Sequence, residues 1–277
     1  MDGASHGQLV VTIGGSDPSG GAGVQADLRV FALHSLFATA VITALTVQNS
    51  GGVRRVDSVA GDLVSEQLRA ILGENRVAAM KTGMLGSAAA VAAVADVVEE
   101  LAAPVPLVVD PVMVSSSGRP LLEDVGVAAL RERLLPLATV ITPNLDEAAV
   151  LLKRDRIAPG GASEAARLLA TEFGACVVVK GGHEPGNSAV DHVCFAATGA
   201  DEDGDSFRLE APWINTPDTH GTGCLFSAAL CASLAHGNGL RSALEHARRC
   251  MDRGLWNARP GAAGPGNVWL DRLPEKP

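Results

Sequence analysis

The chain alternates short, almost entirely apolar segments with longer stretches rich in alanine and leucine, and this alternation constrains the fold more than any other feature. The apolar segments have the length of buried strands, and they read QLVVTIGG, ATAVITALTV, VAAMKTG, PLVVDPVMV, ATVITPN and ACVVVKGGH. The intervening stretches, such as GDLVSEQLRAILGE and SEAARLLATEF, repeat apolar residues at helical spacing. This order predicts an α/β fold with a mostly parallel central sheet and helices on both faces.

We expect one domain over residues 1–277, with its motifs between about residues 10 and 260, because no linker or internal repeat divides the chain. Apolar residues make up 47% of the sequence, which is enough for a buried core. The formal net charge of −9, without any Lys/Arg run longer than two residues, argues against nucleic acid as a partner. No apolar run is long enough to span a membrane, and the first dozen residues lack a signal-peptide pattern, so we expect a cytoplasmic protein.

The cysteines form no recognisable framework. Their number is odd, their spacing is irregular and no CxxC pair occurs, so neither disulfide bonds nor a zinc site is expected. They are Cys176, Cys194, Cys224, Cys231 and Cys250.

Polar residues and glycines collect just after the predicted strands. Gly15, Asp110, Asn144 and Lys180 each follow or end one of the apolar segments. In α/β sheets of this kind ligands bind at the carboxyl ends of the strands, so we expect these residues to share one site.

The segment GGSDPSGGAGVQADL follows the first strand and carries four glycines between Gly14 and Gly21. It has neither the Gly-Lys-Ser/Thr of a P-loop nor the spacing of a dinucleotide-binding motif. Two interpretations stay open: the glycines form a tight strand-to-helix turn, or they let a ligand approach the backbone. Asp27 lies inside the helix that follows, where a single carboxylate is more often solvated than functional.

Gln48 ends a predicted strand in TALTVQNSGG. Its side-chain amide offers a donor and an acceptor in one plane, which suits the edge of an aminopyrimidine ring. The alternative is that Gln48 only satisfies the backbone of the loop.

Three charged side chains lie close to other strand ends. Asp110 is either paired structurally or placed near a metal ion. Asn144 and Glu147 share a helix face, where they form either a capping box or a pair that holds water around a magnesium ion. Lys180 leaves a strand of three valines for a double glycine, and phosphate is the natural partner of a lysine in that position.

The segment NTPDTHGTGCLFSAAL brings a Gly-Thr-Gly turn to the start of a predicted helix. The first amides of a helix lack intrahelical partners, so Gly221, Thr222 and Gly223 are expected to form an anion hole for a transferring phosphoryl group. The positive end of the helix is expected to lower the pKa of the Cys224 thiol, which would then accept a proton from an attacking hydroxyl. The alternative for Cys224 is a small buried filler.

Seven segments, in this order, resemble the hydroxymethylpyrimidine/phosphomethylpyrimidine kinases of thiamine biosynthesis, which belong to the ribokinase-like superfamily. They are GGSDPSGGAGVQADL, ITALTVQNSGGV, MKTGMLG, DPVMV with a later SG, ITPNLDEA, VVKGGH and THGTGC. The resemblance implies a ribokinase-like fold and ATP-dependent phosphorylation of 4-amino-5-hydroxymethyl-2-methylpyrimidine and then of its monophosphate. It also implies Mg²⁺ with ATP as the cofactor and a homodimer as the assembly.

The resemblance implies a role for each candidate residue. The pyrimidine would be bound by Gln48, Gly15, Asp27, Met84 and Val112. ATP would be bound by Asn144, Lys180 and Thr222, and Mg²⁺ by Asp110 and Glu147 through water. The catalytic group would comprise Gly221, Thr222, Gly223 and Cys224, the last standing where related sugar kinases carry an aspartate base.

Two segments depart from the family pattern. Many relatives carry a lysine where this chain has Ser115–Ser117, and a basic residue where it has Pro217 and Asp218. Fewer cations near the phosphates leave the catalytic efficiency and the nucleotide preference open.

Other functions are weighed against the pyrimidine kinase. A pyridoxal or pyridoxine kinase, or a dual kinase, shares the superfamily, and Gln48 with the MKTGML segment favours the pyrimidine over it. A cysteine hydrolase with His220 as its base leaves Lys180, Asn144 and Glu147 unexplained. A pyrimidine-binding protein without activity has no need of an anion hole.

Overall fold

The computed structural model describes residues 8–115, 117–181, 187–196 and 205–275. Within these ranges the strands are β1 (Leu9–Ser16), β2 (Phe37–Asn49), β3 (Gly52–Ser58), β4 (Val77–Thr82), β5 (Leu107–Val109), β6 (Val140–Ile141), β7 (Cys176–Lys180), β8 (Ser188–Cys194) and β9 (Ser206–Pro212). The helices are α1 (Gly23–Leu33), α2 (Gly61–Glu74), α3 (Ala88–Glu99), α4 (Asp124–Ala129), α5 (Leu145–Leu151), α6 (Ala162–Phe173), α7 (Thr222–Ala235) and α8 (Leu240–Trp256). Ser116, Gly182 and His183, which belong to the motifs above, lie outside the described residues.

The nine described strands form one sheet in the order β3-β2-β1-β4-β5-β6-β7-β8-β9. The central six strands, from β2 to β7 in this order, run parallel to one another. The margins are antiparallel, with β3 beside β2 on one side and β8 and β9 beyond β7 on the other. The predicted α/β fold with a mostly parallel sheet is therefore confirmed.

The sequence pattern missed the marginal strands β3 and β8. The side chains of β3 (GVRRVDS) are half-buried or exposed, so this strand carries no apolar run. In β8 (SAVDHVC) the polar Asp191 and His192 interrupt the apolar pattern although both are buried. Asp191 is tolerated there because its carboxylate forms a buried ion pair with Arg248 at 2.8 Å.

Two predicted elements are less regular than expected. The strand in PLVVDPVMV ends at Val109, since Pro111 has no backbone N–H with which to continue a ladder. The helix in VGVAALRERLLP begins as α4 and then changes to a π-helix (Leu130–Leu134) and a 3-10 turn (Leu135–Leu137). Pro136, which cannot donate a helical hydrogen bond, lies in that turn.

Helices cover both faces of the sheet and divide the core in two. One apolar cluster joins the sheet to α2, α3 and α6, and the other joins it to α1, α7 and α8. Helix α7 lies between the sheet and α8, and its small side chains, among them Ala228, Ala229 and Ala232, are fully buried. Burying a side chain such as Phe226 of α7 stabilises the fold by about 1.5–3 kcal/mol. This packing fixes the first turn of α7 beside the strand ends.

None of the helices within the described ranges is both long and apolar enough to cross a membrane.

Candidate active site at the strand ends

A cavity of about 900 Å³ opens at the carboxyl ends of the parallel strands. Every residue that the sequence analysis assigned to the site lines this cavity. Those residues are Gly15, Asp27, Gln48, Met84, Asp110, Val112, Asn144, Glu147, Lys180, Gly221, Thr222, Gly223 and Cys224. Parallel strands bring their carboxyl ends to one edge of the sheet, which is why residues far apart in the sequence meet here.

Asp110 and Lys180 form an ion pair in the wall of the cavity. Lys180 Nζ lies 3.0 Å from Asp110 Oδ1, which also accepts a hydrogen bond from Thr142 Oγ1 at 3.1 Å. Burial alone would raise the pKa of Asp110, but the charges of Lys180 and Lys81 hold that pKa below its usual value. Burial alone would also lower the pKa of Lys180, yet the carboxylates of Asp110 and Glu147 raise it. Lys180 is therefore charged, and its side chain remains 16% exposed.

Asn144 and Glu147 form the capping box at the start of α5. The Glu147 amide donates to Asn144 Oδ1 at 2.8 Å, and the Asn144 amide donates to Glu147 Oε2 at 2.9 Å. The capping box is therefore present, and the second interpretation, a role near magnesium, is not excluded by it. Burial raises the pKa of Glu147 to about 7, with Lys180 opposing the shift and Asp110 adding to it. The Glu147 carboxyl group thus titrates near neutral pH beside the Asp110–Lys180 pair.

Glu147→Gln is expected to change the free energy of unfolding more favourably at about pH 8 than at about pH 5. Folding raises the pKa of Glu147 from 4.5 to about 7, so the wild-type protein loses stability as the pH rises through this interval. The glutamine variant has no such group and keeps its stability. The two proteins therefore differ in the pH-dependent change of their free energy of unfolding by on the order of 3 kcal/mol. Urea unfolding of both proteins at the two pH values measures it.

The exposed Glu66 of α2 provides the matched control for this measurement. Glu66→Gln is expected to leave the free energy of unfolding close to that of the wild type at both pH values, as is usual for a substitution at an exposed position. If Glu147→Gln behaves like Glu66→Gln, then burial does not shift the pKa of Glu147.

The first turn of α7 lies next to the Asp110–Lys180 pair. Gly221, which precedes the helix, has a φ of +90°, and a Cβ on Gly223 would lie 3.2 Å from Lys180 Nζ and 3.4 Å from Asp110 Oδ2. The Thr222 amide already donates to the Thr219 oxygen at 3.3 Å. In the described part of the chain, the next two amides, of Gly223 and Cys224, have no backbone acceptor outside the helix. Two helix-start amides without such an acceptor, beside a charged lysine, are the groups that an anion hole requires.

The prediction of a lowered pKa for Cys224 is wrong. The residue is the third of α7, as expected, but burial raises the pKa of its thiol to about 11. The charge of Lys81 lowers this pKa, but by less than burial raises it, and the charges of Asp27 and Asp110 raise it further. The resting thiol is therefore protonated at neutral pH.

The glycines serve two purposes at different positions. A Cβ on Gly21 would lie 2.1 Å from Asn267 Oδ1, and a Cβ on Gly221 would lie 2.0 Å from the Gly21 oxygen. The loop after β1 and the turn before α7 therefore pack backbone against backbone, which only glycine permits. A Cβ on Gly15 would lie 3.0 Å from Met84 Cε, and both residues line the cavity. Gly15 thus leaves room for the Met84 side chain in the wall of the cavity, whereas Gly221 lets the two loops approach each other closely.

Gln48 belongs to a hydrogen-bonded cluster that sequence reasoning missed. Its Nε2 lies 3.4 Å from Asp17 Oδ2 and 3.2 Å from His220 Nε2, and its Oε1 accepts from Thr46 Oγ1 at 3.3 Å. Burial alone would raise the pKa of Asp17, but hydrogen bonds from His220 and Ser19 lower it. Asp17 is therefore ionised, and with His220 it holds the Gln48 amide in place. The available signal was that Asp17 and His220 both lie in the glycine-rich motifs.

Asp27 lies in a buried ion pair rather than in solvent. Its Oδ1 and Oδ2 lie 2.8 and 2.7 Å from Lys81 Nζ, and its Oδ2 accepts from Thr12 Oγ1 at 2.6 Å. The Lys81 and Asp27 side chains are only 1% and 2% exposed. Burial alone would lower the pKa of Lys81, but the Asp27 carboxylate raises it, so the lysine is charged. Sequence reasoning missed Lys81, although a lysine within the apolar strand VAAMKTG signalled a buried partner.

The profile of a family described as phosphomethylpyrimidine kinase matches residues 17–268 of this chain. The chain belongs to the phosphomethylpyrimidine kinase family. This member of the family is 41% identical over 271 residues to the hydroxymethylpyrimidine/phosphomethylpyrimidine kinase of Haemophilus influenzae, covering 96% of this chain and 98% of the relative. It is 43% identical over 245 residues to the enzyme of the same description from Rhizobium meliloti, covering 87% of each chain.

Solved structures resemble this phosphomethylpyrimidine kinase family member over most of its length. An ADP complex of Bacillus subtilis pyridoxal kinase has a TM-score of 0.84 and 34% identity, covering 95% of this chain and 97% of that one. The phosphomethylpyrimidine kinase of Clostridium difficile 630 has a TM-score of 0.72 and 30% identity, covering 87% and 96%. The predicted ribokinase-like fold is confirmed.

Proposed function

We propose that this kinase transfers the γ-phosphoryl group of ATP to the hydroxymethyl group of 4-amino-5-hydroxymethyl-2-methylpyrimidine, and then to the monophosphate that results. The observation that carries the proposal is one cavity that holds both an anion site and a planar amide. The anion site is formed by the first amides of α7 beside the charged Lys180, and the amide is that of Gln48. Membership of the family supports the reaction and its place in thiamine biosynthesis.

At the pyrimidine end of the cavity, the Gln48 side-chain N–H donates a hydrogen bond to a ring nitrogen, and its oxygen accepts one from the exocyclic amine. The Asp17 carboxylate fixes the Gln48 amide, so the ring meets a preorganised group. Gly15, Met84 and Val112 supply the surrounding wall. Asp27 contributes through its buried ion pair with Lys81, which stabilises the floor of the pocket.

At the phosphate end, the amides of Gly223 and Cys224 and the ammonium group of Lys180 stabilise the charge on the phosphoryl group in flight. Phosphoryl transfer depends mostly on positioning and on charge stabilisation, which is what these groups provide. The Asn144 oxygen is used by the capping box, so its Nδ2 is the atom that serves the nucleotide. Thr222 contributes its hydroxyl group at the same end.

Mg²⁺ fits the donor set at this end of the cavity. Asp110 and Glu147 offer hard carboxylate oxygens close to each other, which Mg²⁺ prefers. Both carboxylates also accept hydrogen bonds from protein donors, which favours contact through the waters of the ion. The bound ion would neutralise charge on the ATP phosphates.

Cys224→Ala is expected to lower kcat by about ten- to a hundredfold, less than the full range for a general base, because the resting thiol is protonated. If the thiolate accepts the proton, the wild-type kcat rises with pH up to about 11, the pKa to which burial raises this thiol, while the alanine variant stays flat. Steady-state rates at a series of pH values test this. A Cys224→Ala protein with an unchanged kcat would remove the base from the mechanism.

The function is tested by ATP–Mg²⁺ turnover with hydroxymethylpyrimidine, its monophosphate and pyridoxal in parallel, with the products identified by mass spectrometry. The expected result is the diphosphate from the pyrimidine. Phosphorylation of pyridoxal alone would mean a pyridoxal kinase with the same fold, and consumption of no ATP would mean a binding protein.

Two further properties belong to the proposal. Homodimer formation is supported by exposed apolar side chains on β2, namely Phe37, Leu45 and Val47. Sedimentation velocity tests it, and a monomer at micromolar concentration would contradict it. A cytoplasmic location is supported by the five cysteines, which form no disulfide bond within the described residues and so fit a reducing compartment.

A further inference from the structure

A second cluster of metal-ligating side chains, at the end of α1 and on α8, lies outside the set of residues that line the cavity. His34 directly follows α1, and His246 and Cys250 lie one turn apart on α8. One ligand atom from each of the three residues lies within 4.8 Å of the others. Within the described ranges, this is the one group of three or more His, Cys, Asp or Glu residues arranged in this way.

The distances in this cluster are close to those of a tetrahedral zinc site. His34 Nε2 lies 2.8 Å from His246 Nε2, and Cys250 Sγ lies 3.4 Å from the same nitrogen of His246. Bond lengths of about 2.0 Å to nitrogen and about 2.3 Å to sulfur place two ligand nitrogens about 3.3 Å apart and a nitrogen and a sulfur about 3.5 Å apart. The two Nε2 atoms would thus have to move apart by about 0.5 Å to bind the same ion.

The surroundings of His34 prepare it as a ligand. Its Nδ1 lies 2.7 Å from the Val30 oxygen, which only accepts, so Nδ1 carries the proton and Nε2 presents its lone pair to the cluster. The backbone oxygen of His34 lies 2.9 Å from His236 Nε2, which ties the residue to the end of α7.

We propose that His34, His246 and Cys250 bind one Zn²⁺ ion, with a water molecule as the fourth ligand on the half-buried side of His246. Two imidazole nitrogens and one thiolate are donors that zinc prefers, in contrast to the carboxylates of the phosphate site. On binding, a Zn–S bond forms, the S–H bond of Cys250 breaks and its proton passes to solvent. The proton that His246 Nε2 donates to His34 Nε2 moves to His246 Nδ1 by exchange with solvent, so that both Nε2 atoms bind the ion. The irregular cysteine spacing gave no sign of this site, because His34 and His246 are 212 positions apart.

The ion would join three helices at the end remote from the reaction. It links α1 directly to α8, and His236 connects the same point to α7. Since α1 and α7 both begin at the cavity, the zinc site lies at the far ends of the two helices that follow the glycine-rich loop and the anion site. Zinc therefore stabilises the arrangement of these helices and takes no part in phosphoryl transfer.

The experiment uses the full chain, freed of metal by chelation and then titrated with Zn²⁺ in excess Mg²⁺. Co²⁺-substituted protein is examined by absorption spectroscopy. We expect one zinc ion per chain, a sulfur-to-cobalt charge-transfer band, and an unfolding temperature that rises with zinc concentration. Cys250→Ala is expected to lose the band, and both Cys250→Ala and His246→Gln to weaken zinc binding at least about tenfold.

The buried Cys231 of α7 gives the matched control. Cys231→Ala is expected to keep the band and the zinc affinity of the wild type. His246→Gln changes a half-buried position, so its circular dichroism spectrum shows whether loss of zinc occurs in a folded protein. The proposal is overturned if the wild type binds no zinc at micromolar concentration, if Cys250→Ala keeps the band, or if Cys231→Ala loses it.

Discussion

Lys180→Met is expected to lower kcat/KM for ATP by about 10²- to 10³-fold. Methionine keeps the apolar stem but removes the ammonium group that lies 3.0 Å from Asp110 and next to Gly223. The negative charge that develops on the phosphoryl group is then no longer stabilised by the Lys180 ammonium group. The Asp110 carboxylate also loses its partner, so its negative charge repels the phosphates. Steady-state kinetics with ATP as the varied substrate measure the effect.

Lys153→Met provides the control, since Lys153 is exposed just after α5. Its kcat/KM is expected to stay close to that of the wild type, as is usual for a surface substitution. An equal loss in kcat and in kcat/KM for Lys180→Met would indicate an interaction made only in the transition state. A Lys180→Met enzyme with wild-type kinetics and a normal unfolding temperature would exclude Lys180 from the phosphate site.

Lys81→Met is expected to lower the free energy of unfolding by about 3–5 kcal/mol. The substitution leaves Asp27 buried without its cation, and only Thr12 continues to donate to the carboxylate. Removal of one partner of a buried ion pair costs more than the pair contributes, because the remaining charge is not hydrated. Urea unfolding followed by circular dichroism measures the loss.

The double variant Asp27→Asn/Lys81→Met separates the ion pair from the packing of the two side chains. Asparagine still accepts from Thr12 and carries no charge, so the double variant is expected to be more stable than Lys81→Met alone. The exposed pair of Arg55 and Asp57, with side chains 69% and 53% exposed, serves as the control. Arg55→Met is expected to leave the free energy of unfolding close to that of the wild type, because an exposed ion pair is screened by water. Equal stabilities of Lys81→Met and Arg55→Met would contradict the buried charge.

The sequence predicts those parts of the fold whose residues are uniformly apolar. Strands such as β1 and β7 are buried on both faces, so their runs of valine and isoleucine identify them. In contrast, β3 is largely exposed and β8 contains the Asp191–Arg248 pair, which only the tertiary structure explains. Glycines directly precede both α7 and α8, at Gly221 and Gly239, so the sequence also marks where these two helices begin.

The location of the candidate site was predictable for the same reason, since parallel strands bring their ends together. The state of its side chains was not. The pKa of Cys224 depends on burial and on Lys81, which lies in a different strand. Asp27 and Lys81 are 54 positions apart, and nothing local in either segment shows that they pair. Local rules describe a helix end or a turn, but they do not describe what the neighbouring elements bring to it.

The contact between Gly21 and Gly221 joins two segments that leave the ribosome at very different times. Gly221 lies two hundred residues after Gly21, so at a synthesis rate of about 5–20 residues per second the first loop waits about 10–40 seconds for its partner. Asp27 and Lys81 are both synthesised early in this interval. The nascent chain can thus form the Asp27–Lys81 pair in the floor of the cavity before α7, which supplies one wall, has been synthesised. We expect ATP and the pyrimidine to stabilise only the completed chain, so neither ligand assists the earlier steps of folding during synthesis.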